Sequence, residues 1–221
     1  MLFLFLGYTS HIQASKYKNG DIYVENAIHD ASNSPMIMEL IAKKYLHARN
    51  FYKAKEYINK AILLCEDNYT YQATLALILQ KEGNFNDAEK IYFKLISLSK
   101  KNKALCLKRL SEISIKQKNY QKALVYAEQA YFLKPYTKEF AEHLAIIYAQ
   151  TGKYKESSYI LIDLLKYDKK NDNYYYNLSL LYEALNDRNK SIYYIERAMK
   201  LNTTNIIYQK HFLKLTNKTY V

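Results

Sequence analysis

Glycine and proline are scarce in this 221-residue chain, which contains four Gly, two Pro and no Trp. Folds built from strands and tight turns need Gly, Pro and Asn throughout, so barrels and sandwiches are disfavoured. Phosphate-binding loops are disfavoured too, because neither a dinucleotide fingerprint nor a P-loop motif occurs. The hydrophobic content of 49% is nevertheless ample for a core. The composition therefore predicts an all-α protein.

Patterns typical of metal binding and catalysis are also missing. Cys65 and Cys106 lack C-x-x-C spacing, and the five histidines are scattered. We interpret both cysteines as small apolar packing residues, and carboxylates such as Glu139 and Glu142 as solvated charges. We therefore expect that the protein is not an enzyme and that it has no catalytic residue, no metal and no cofactor. No hydrophobic run reaches the length of a transmembrane helix.

The strongest positive feature is a motif that occurs five times at a nearly constant spacing. It begins at five positions separated by 34, 35, 34 and 34 residues: Arg49, Gly83, Lys118, Gly152 and Asn186. We expect each of these residues to end a helix in the left-handed conformation, which Gly and Asn adopt best. Two positions later, an aromatic residue is expected to fill the gap between antiparallel helices, and these residues are Phe51, Phe85, Tyr120 and Tyr154.

Small residues recur at positions where two helices must approach closely. They are Ala42, Ala54, Ala61, Ala76, Ala88, Ser111, Ala123, Ala130, Ala145, Ser157, Ser179, Ser191 and Ala198. Larger apolar residues lie four apart on the same predicted faces, as Leu75 and Leu79 do. This alternation predicts pairs of packed helices.

The repeated motif resembles the tetratricopeptide repeat family, whose unit is a helix–turn–helix of 34 residues. The resemblance covers five repeats, at residues 35–68, 69–102, 104–137, 138–171 and 172–205, with Lys103 as an insertion. It implies a right-handed superhelical solenoid. Ser34 and Pro35 are typical of a helix start, and the amphipathic segment from Ile206 to Leu215 predicts a capping helix within residues 206–221.

Two positions depart from the family pattern. The closing proline of the family survives only as Pro135. The family has a large aromatic residue near the start of each repeat, and here that position holds Met38, Gln72, Leu107, Ala141 and Tyr175, so that only the last repeat keeps an aromatic residue.

Two interpretations of the N-terminus remain open. Residues 1–14, with the apolar run from Leu2 to Leu6, form either a signal peptide ending near Ala14 or the first helix of a degenerate repeat. Residues 15–34 fit a half repeat under both interpretations. The signal peptide would place the protein outside the cytoplasm, in the periplasm, and the alternative would leave it in the cytoplasm.

The resemblance implies that the first helices of the repeats line a concave groove that binds a partner. By register, its residues include Lys43, His47, Leu77, Lys81, Lys108, Arg109, Glu112, His143, Tyr176 and Asn177. We therefore expect a protein-binding scaffold within a larger complex, with an acidic or extended protein segment as its partner. The alternative is a nucleic acid or another polyanion, because most of the net charge of +12 lies in the first three repeats. The oligomeric state and the identity of the partner do not follow from the sequence.

Overall fold

The computed structural model describes residues 34–99, 101–135 and 137–216, and all regular structure in these ranges is α-helical. The predicted signal segment 1–14 and, apart from Ser34, the predicted half repeat 15–34 lie outside the described residues. The chain divides into two compact units, one up to Ser99 and the other from Lys100. None of the described helices is long and apolar enough to cross a membrane.

Four helices form the described part of the first unit. They are α1 (Pro35–His47), α2 (Phe51–Leu64), α3 (Tyr69–Glu82) and α4 (Phe85–Leu98). Each helix packs against the next, and α1 also contacts α3. The unit is therefore two stacked helical hairpins.

Seven helices form the described part of the second unit. They are α5 (Lys103–Lys116), α6 (Tyr120–Leu133), α7 (Lys138–Gln150), α8 (Tyr154–Tyr167), α9 (Asp172–Ala184), α10 (Arg188–Leu201) and α11 (Ile206–Thr216). Each helix again packs against the one that follows it. The unit is three successive hairpins followed by a single helix.

The turn within each hairpin has the predicted left-handed residue. The φ angles are 56° at Arg49, 99° at Gly83, 61° at Lys118, 78° at Gly152 and 59° at Asn186. This conformation ends the first helix and reverses the chain, because the backbone of an α-helix cannot continue through it. The sequence-based expectation is confirmed at all five positions.

The residue after each turn starts the second helix. Asn50, Asn84, Asn119 and Asp187 each accept a hydrogen bond from the backbone N–H three residues later. These side chains satisfy donors that have no partner within the helix. Ser34 occupies the corresponding position before α1, but its side chain makes no such bond.

The small residues of the repeat are buried, as the sequence predicts. Ala88 and Ala123 are both 0% exposed. Where serine takes this place, its hydroxyl donates to a carbonyl of the facing helix, as Ser111 does to Ala123 at 2.8 Å and Ser157 to Ala145 at 2.7 Å. Burial of the hydroxyl is therefore compensated by a hydrogen bond.

Two sequence-based expectations about single side chains are wrong. Tyr120 is 45% exposed and does not fill the gap between its helices. Cys65 is exposed because it ends α2 at a surface turn, whereas Cys106 within α5 is buried as expected.

The last helix packs on the final hairpin, which confirms the predicted cap. Tyr208 and Leu215 of α11 are buried together with Ile195 and Ala198 of α10. The Nε atom of Arg188 also donates to the carbonyl of Leu215 at 2.7 Å. Helix α11 thus covers apolar surface that the last hairpin would otherwise expose.

Candidate functional site

The predicted groove residues of the first unit lie on α1 and α3. The Nζ atom of Lys43 is 2.7 Å from the carboxylate of Glu39, which is itself buried and accepts a hydrogen bond from Thr74. His47 and Lys81 are exposed in the last turns of their helices. Leu77 is half-buried against the core of the unit.

In the second unit, the predicted basic residues are paired with carboxylates. The Nζ atom of Lys108 lies 2.7 Å from Glu139 and 3.8 Å from Glu112. The guanidinium group of Arg109 contacts both oxygens of Glu112, at 3.0 and 3.2 Å. The charges of Lys108 and Arg109 are thus compensated locally. That Lys108 and Arg109 share one groove with Lys43 and Lys81 stays a prediction.

His143 contacts the preceding hairpin. Its Nε2 atom lies 3.0 Å from the hydroxyl of Ser111. Burial lowers the pKa of His143 to about 4, although the nearby Glu112 opposes this shift. The imidazole is therefore neutral at pH 7, and it links α7 to α5.

Tyr176 and Asn177 are neighbours in sequence but have different surroundings. The ring of Tyr176 lies 4.8 Å from that of Tyr208 and 5.7 Å, edge to face, from that of His211. Tyr176 therefore packs against α11. The side chain of Asn177 is exposed.

An apolar cleft of about 190 Å³ lies between α7 and α9. Ile146 and Leu180 at the cleft are 53% and 38% exposed, and the amides of Gln150 and Asn177 also line it. Ile146 is absent from the predicted groove residues. The sequence did contain a signal for it. Ile146 and Ile147 are adjacent apolar residues, and because two consecutive helical positions cannot face the same way, only one of the two can face the core.

We call the exposed side of α5, α7 and α9 the first-helix face of the second unit. It combines the ion pairs of α5 and α7 with the apolar cleft. Among the residues that the structure describes, no three His, Cys, Asp or Glu side chains are placed to hold a metal ion.

Stacked helix hairpins with a left-handed residue in each turn define a helical-repeat protein. A family model of the tetratricopeptide repeat matches residues 172–205, which contain α9 and α10. Those residues are a tetratricopeptide repeat, and the described helices have the arrangement of about five such repeats. The exact repeat boundaries stay a prediction. Among curated proteins, none matches the sequence.

Several solved structures are similar to the chain in fold, and one of them, YrrB, is described as a tetratricopeptide repeat protein. YrrB, described as a protein with an unusual peptide-binding site, is 16% identical; the alignment covers 85% of this chain and 96% of YrrB, with a TM-score of 0.62. PilF of Pseudomonas aeruginosa is 15% identical, with coverage of 96% and 94% and a TM-score of 0.67. Yeast Tom70 is 17% identical, with coverage of 95% and 45% and a TM-score of 0.68.

Proposed function

We propose that this chain is a non-enzymatic scaffold that binds an extended segment of a protein partner on the first-helix face of the second unit. The observation that carries the proposal is the cleft between α7 and α9. Its apolar residues Ile146 and Leu180 can bury one side chain of the partner. The exposed amides of Gln150 and Asn177 can hydrogen-bond the partner's backbone.

Because Lys108 and Arg109 are positively charged, this face can accept an acidic residue of the partner. In the ion pair between Lys108 and Glu139, 53% of the Glu139 side chain is exposed and 15% of that of Lys108. An ion pair at the surface contributes about 0–1 kcal/mol. A carboxylate of the partner could replace Glu139 at small cost. It would mainly increase the association rate, because long-range attraction acts before contact.

The peptide-binding site described for YrrB supports a protein partner by analogy of fold. A nucleic acid or another polyanion is the alternative, supported by the net charge of +12. The pairing of Lys108 and Arg109 with carboxylates counts against it. Retention on nucleic acid would fall steeply with salt if counterion release dominated binding.

A comparison of two double variants tests the proposal. The double variant Ile146→Ser with Leu180→Ser removes the apolar part of the cleft. Its matched control, Leu63→Ser with Leu64→Ser, changes two exposed leucines of α2, which are 83% and 56% exposed. Each protein is immobilised, exposed to an extract of its native host and washed, and the captured proteins are quantified by mass spectrometry.

We expect the cleft variant to capture at least one specific partner roughly 30-fold less than the unaltered chain does. This roughly 30-fold factor corresponds to about 2 kcal/mol of lost apolar burial. The control should capture it as the unaltered chain does. Equal capture by the cleft variant and the unaltered chain would contradict the proposal. Circular dichroism of both variants checks that the helices are intact.

A further inference from the structure

One register position near the start of the first helices holds a tyrosine in the last repeat and an alanine in the repeat before it. It holds Tyr175 in α9, whose ring lies 6.4 Å from the ring of Tyr194 and whose hydroxyl donates to the carbonyl of Lys169. In α7 the same position holds Ala141, the smallest of the five residues at this register. An aromatic ring therefore occupies this space in one repeat and is missing from the other.

A pocket of about 360 Å³ borders Ala141. It lies between α7, α8 and the start of α9. Tyrosines from three helices line it: Tyr131, Tyr167 and Tyr174. Tyr174 is buried, whereas Tyr167 is 79% exposed, so the pocket extends from the core to the surface. We call it the Ala141 pocket.

The charged residues of the Ala141 pocket are paired with one another. Lys138 lies 3.3 Å from Asp168, and Lys166 lies 2.7 Å from Asp163. The Nζ atom of Lys138 is also 5.6 Å from the ring centre of Tyr174. Two lysines and two aspartates cancel in net charge, which favours a neutral occupant over a cation or an anion.

The same register position borders surface pockets in two other repeats, at Gln72 in α3 and at Leu107 in α5. A missing aromatic residue thus coincides with a pocket at three positions. The pocket at Ala141 differs in the three tyrosines that surround it. Offset and edge-to-face contacts between aromatic rings add stability beyond the area they bury.

From the geometry, we infer that the Ala141 pocket binds an aromatic side chain of a protein partner, taking the place that Tyr175 fills in the next repeat. The inference rests on the proposed function because the ring belongs to a protein partner. The pocket shares no lining residue with the cleft at Ile146 and Leu180. It is therefore a second anchoring point.

The absence of Trp from the chain permits a direct test with the full-length protein. N-acetyl-tryptophanamide is titrated with the protein, and its indole anisotropy is read at wavelengths that tyrosine does not absorb. We expect a saturable rise, and competition by N-acetyl-phenylalaninamide but not by N-acetyl-leucinamide. A titration without saturation would overturn the inference, as would equal competition by the leucine derivative.

Two variants locate the binding. Ala141→Tyr fills the pocket from within and should weaken binding of the indole by about tenfold or more. Tyr167→Ala removes an exposed ring that lines the pocket, leaves the core unchanged, and should also weaken binding of the indole. Lys155→Tyr, which adds the same ring at an exposed position of α8, should leave this binding unchanged. Unaltered binding by both pocket variants would exclude this location.

A short peptide with one central Trp between alanines distinguishes the source of the ring. It should bind at least as tightly as N-acetyl-tryptophanamide if the pocket accepts a side chain carried by a protein. Exclusion of this peptide would assign the pocket to a free aromatic compound and overturn the inference. These titrations involve no captured partner, so their outcome is separate from the test of the cleft.

Discussion

The hydroxyl oxygen of Ser179 lies 3.0 Å from Nε2 of His211, and Ser111 and His143 repeat this contact at the same distance. In both pairs the serine occupies a small-residue position of a first helix, and the histidine lies 32 residues later. The hydroxyl of Ser111 donates to the carbonyl of Ala123, so Nε2 of His143 must donate to the hydroxyl. A position predicted only to be small thus also carries a polar link from its hairpin to the first helix that follows the hairpin.

His143 should make the second unit less stable in mild acid. Its folded-state pKa of about 4 is below the ordinary value of about 6.5 because burial disfavours the charged ring. The unfolded chain therefore binds more protons between these values. The stabilising contribution is complete above pH ~6.5 and is lost as the pH falls towards ~4.

The imidazole proton signals of His143, followed by NMR, should titrate with a pKa of about 4. His143→Gln keeps a donor near Ser111 but does not titrate, so it removes this signal. It should also flatten the pH dependence of the free energy of unfolding by about 1–3 kcal/mol between neutral pH and pH ~4. A titration at or above the ordinary pKa would contradict the described burial.

Enlarging the buried small residues should destabilise the hairpins. Ala88→Leu and Ala123→Leu would each overpack an interface where the side chain is 0% exposed, at a cost of about 1–3 kcal/mol. Val125→Leu is the control, because Val125 lies on α6 and is 41% exposed. Urea unfolding followed by circular dichroism measures the three variants. Equal midpoints for Ala123→Leu and Val125→Leu would refute the tight packing.

Glycine should be tolerated at the left-handed turn position and be harmful two residues earlier, inside the helix. Lys118 has a φ of 61°, a conformation that costs a residue with a side chain about 1–2 kcal/mol. Lys118→Gly should therefore raise stability by up to about 1 kcal/mol, since the gain is partly offset by entropy. Lys116→Gly, in the last turn of α5, should lower stability by about 1 kcal/mol. Thermal melting measures the stability of both variants. The same change in melting temperature for both substitutions would contradict the left-handed turn.

The attachment of α11 should depend on Tyr208. This residue is 2% exposed, and its hydroxyl donates to Asp172 at 3.0 Å. Tyr208→Ala should cost about 3–5 kcal/mol in the stability of the last hairpin. Ile207→Ala changes a neighbour that is 60% exposed and should cost less than about 1 kcal/mol. Hydrogen exchange of α10 and α11 resolves the effect, and similar exchange rates in both variants would count against the cap.

Much of the fold was predictable because its signals are periodic and local. The left-handed residue at Gly83 or Asn186 and the small residue at Ala88 or Ser191 each follow from what a single helix turn or helix contact permits. Repetition of these signals every 34 or 35 residues makes them specific. The cap was predictable for a similar reason, since the amphipathic pattern after Asn205 continues beyond the last repeat.

The candidate site was predictable only in part. Register placed Asn177 on the exposed side of a first helix, but it also selected Tyr176, which packs against α11. It did not select Ile146. Adjacent positions on a helix differ by about 100° in direction, so an error of one position turns a contact residue into a buried one.

The series of helical hairpins follows from the sequence alone, because helix periodicity and turn conformation depend on neighbouring residues. The folded structure was needed to show that Lys108 meets Glu139, that His143 packs against Ser111, and that Ala141 leaves a pocket among tyrosines. Each of these contacts joins side chains from different helices. Their distances depend on how the helices pack, which is set by the summed volumes of many side chains and not by any single position.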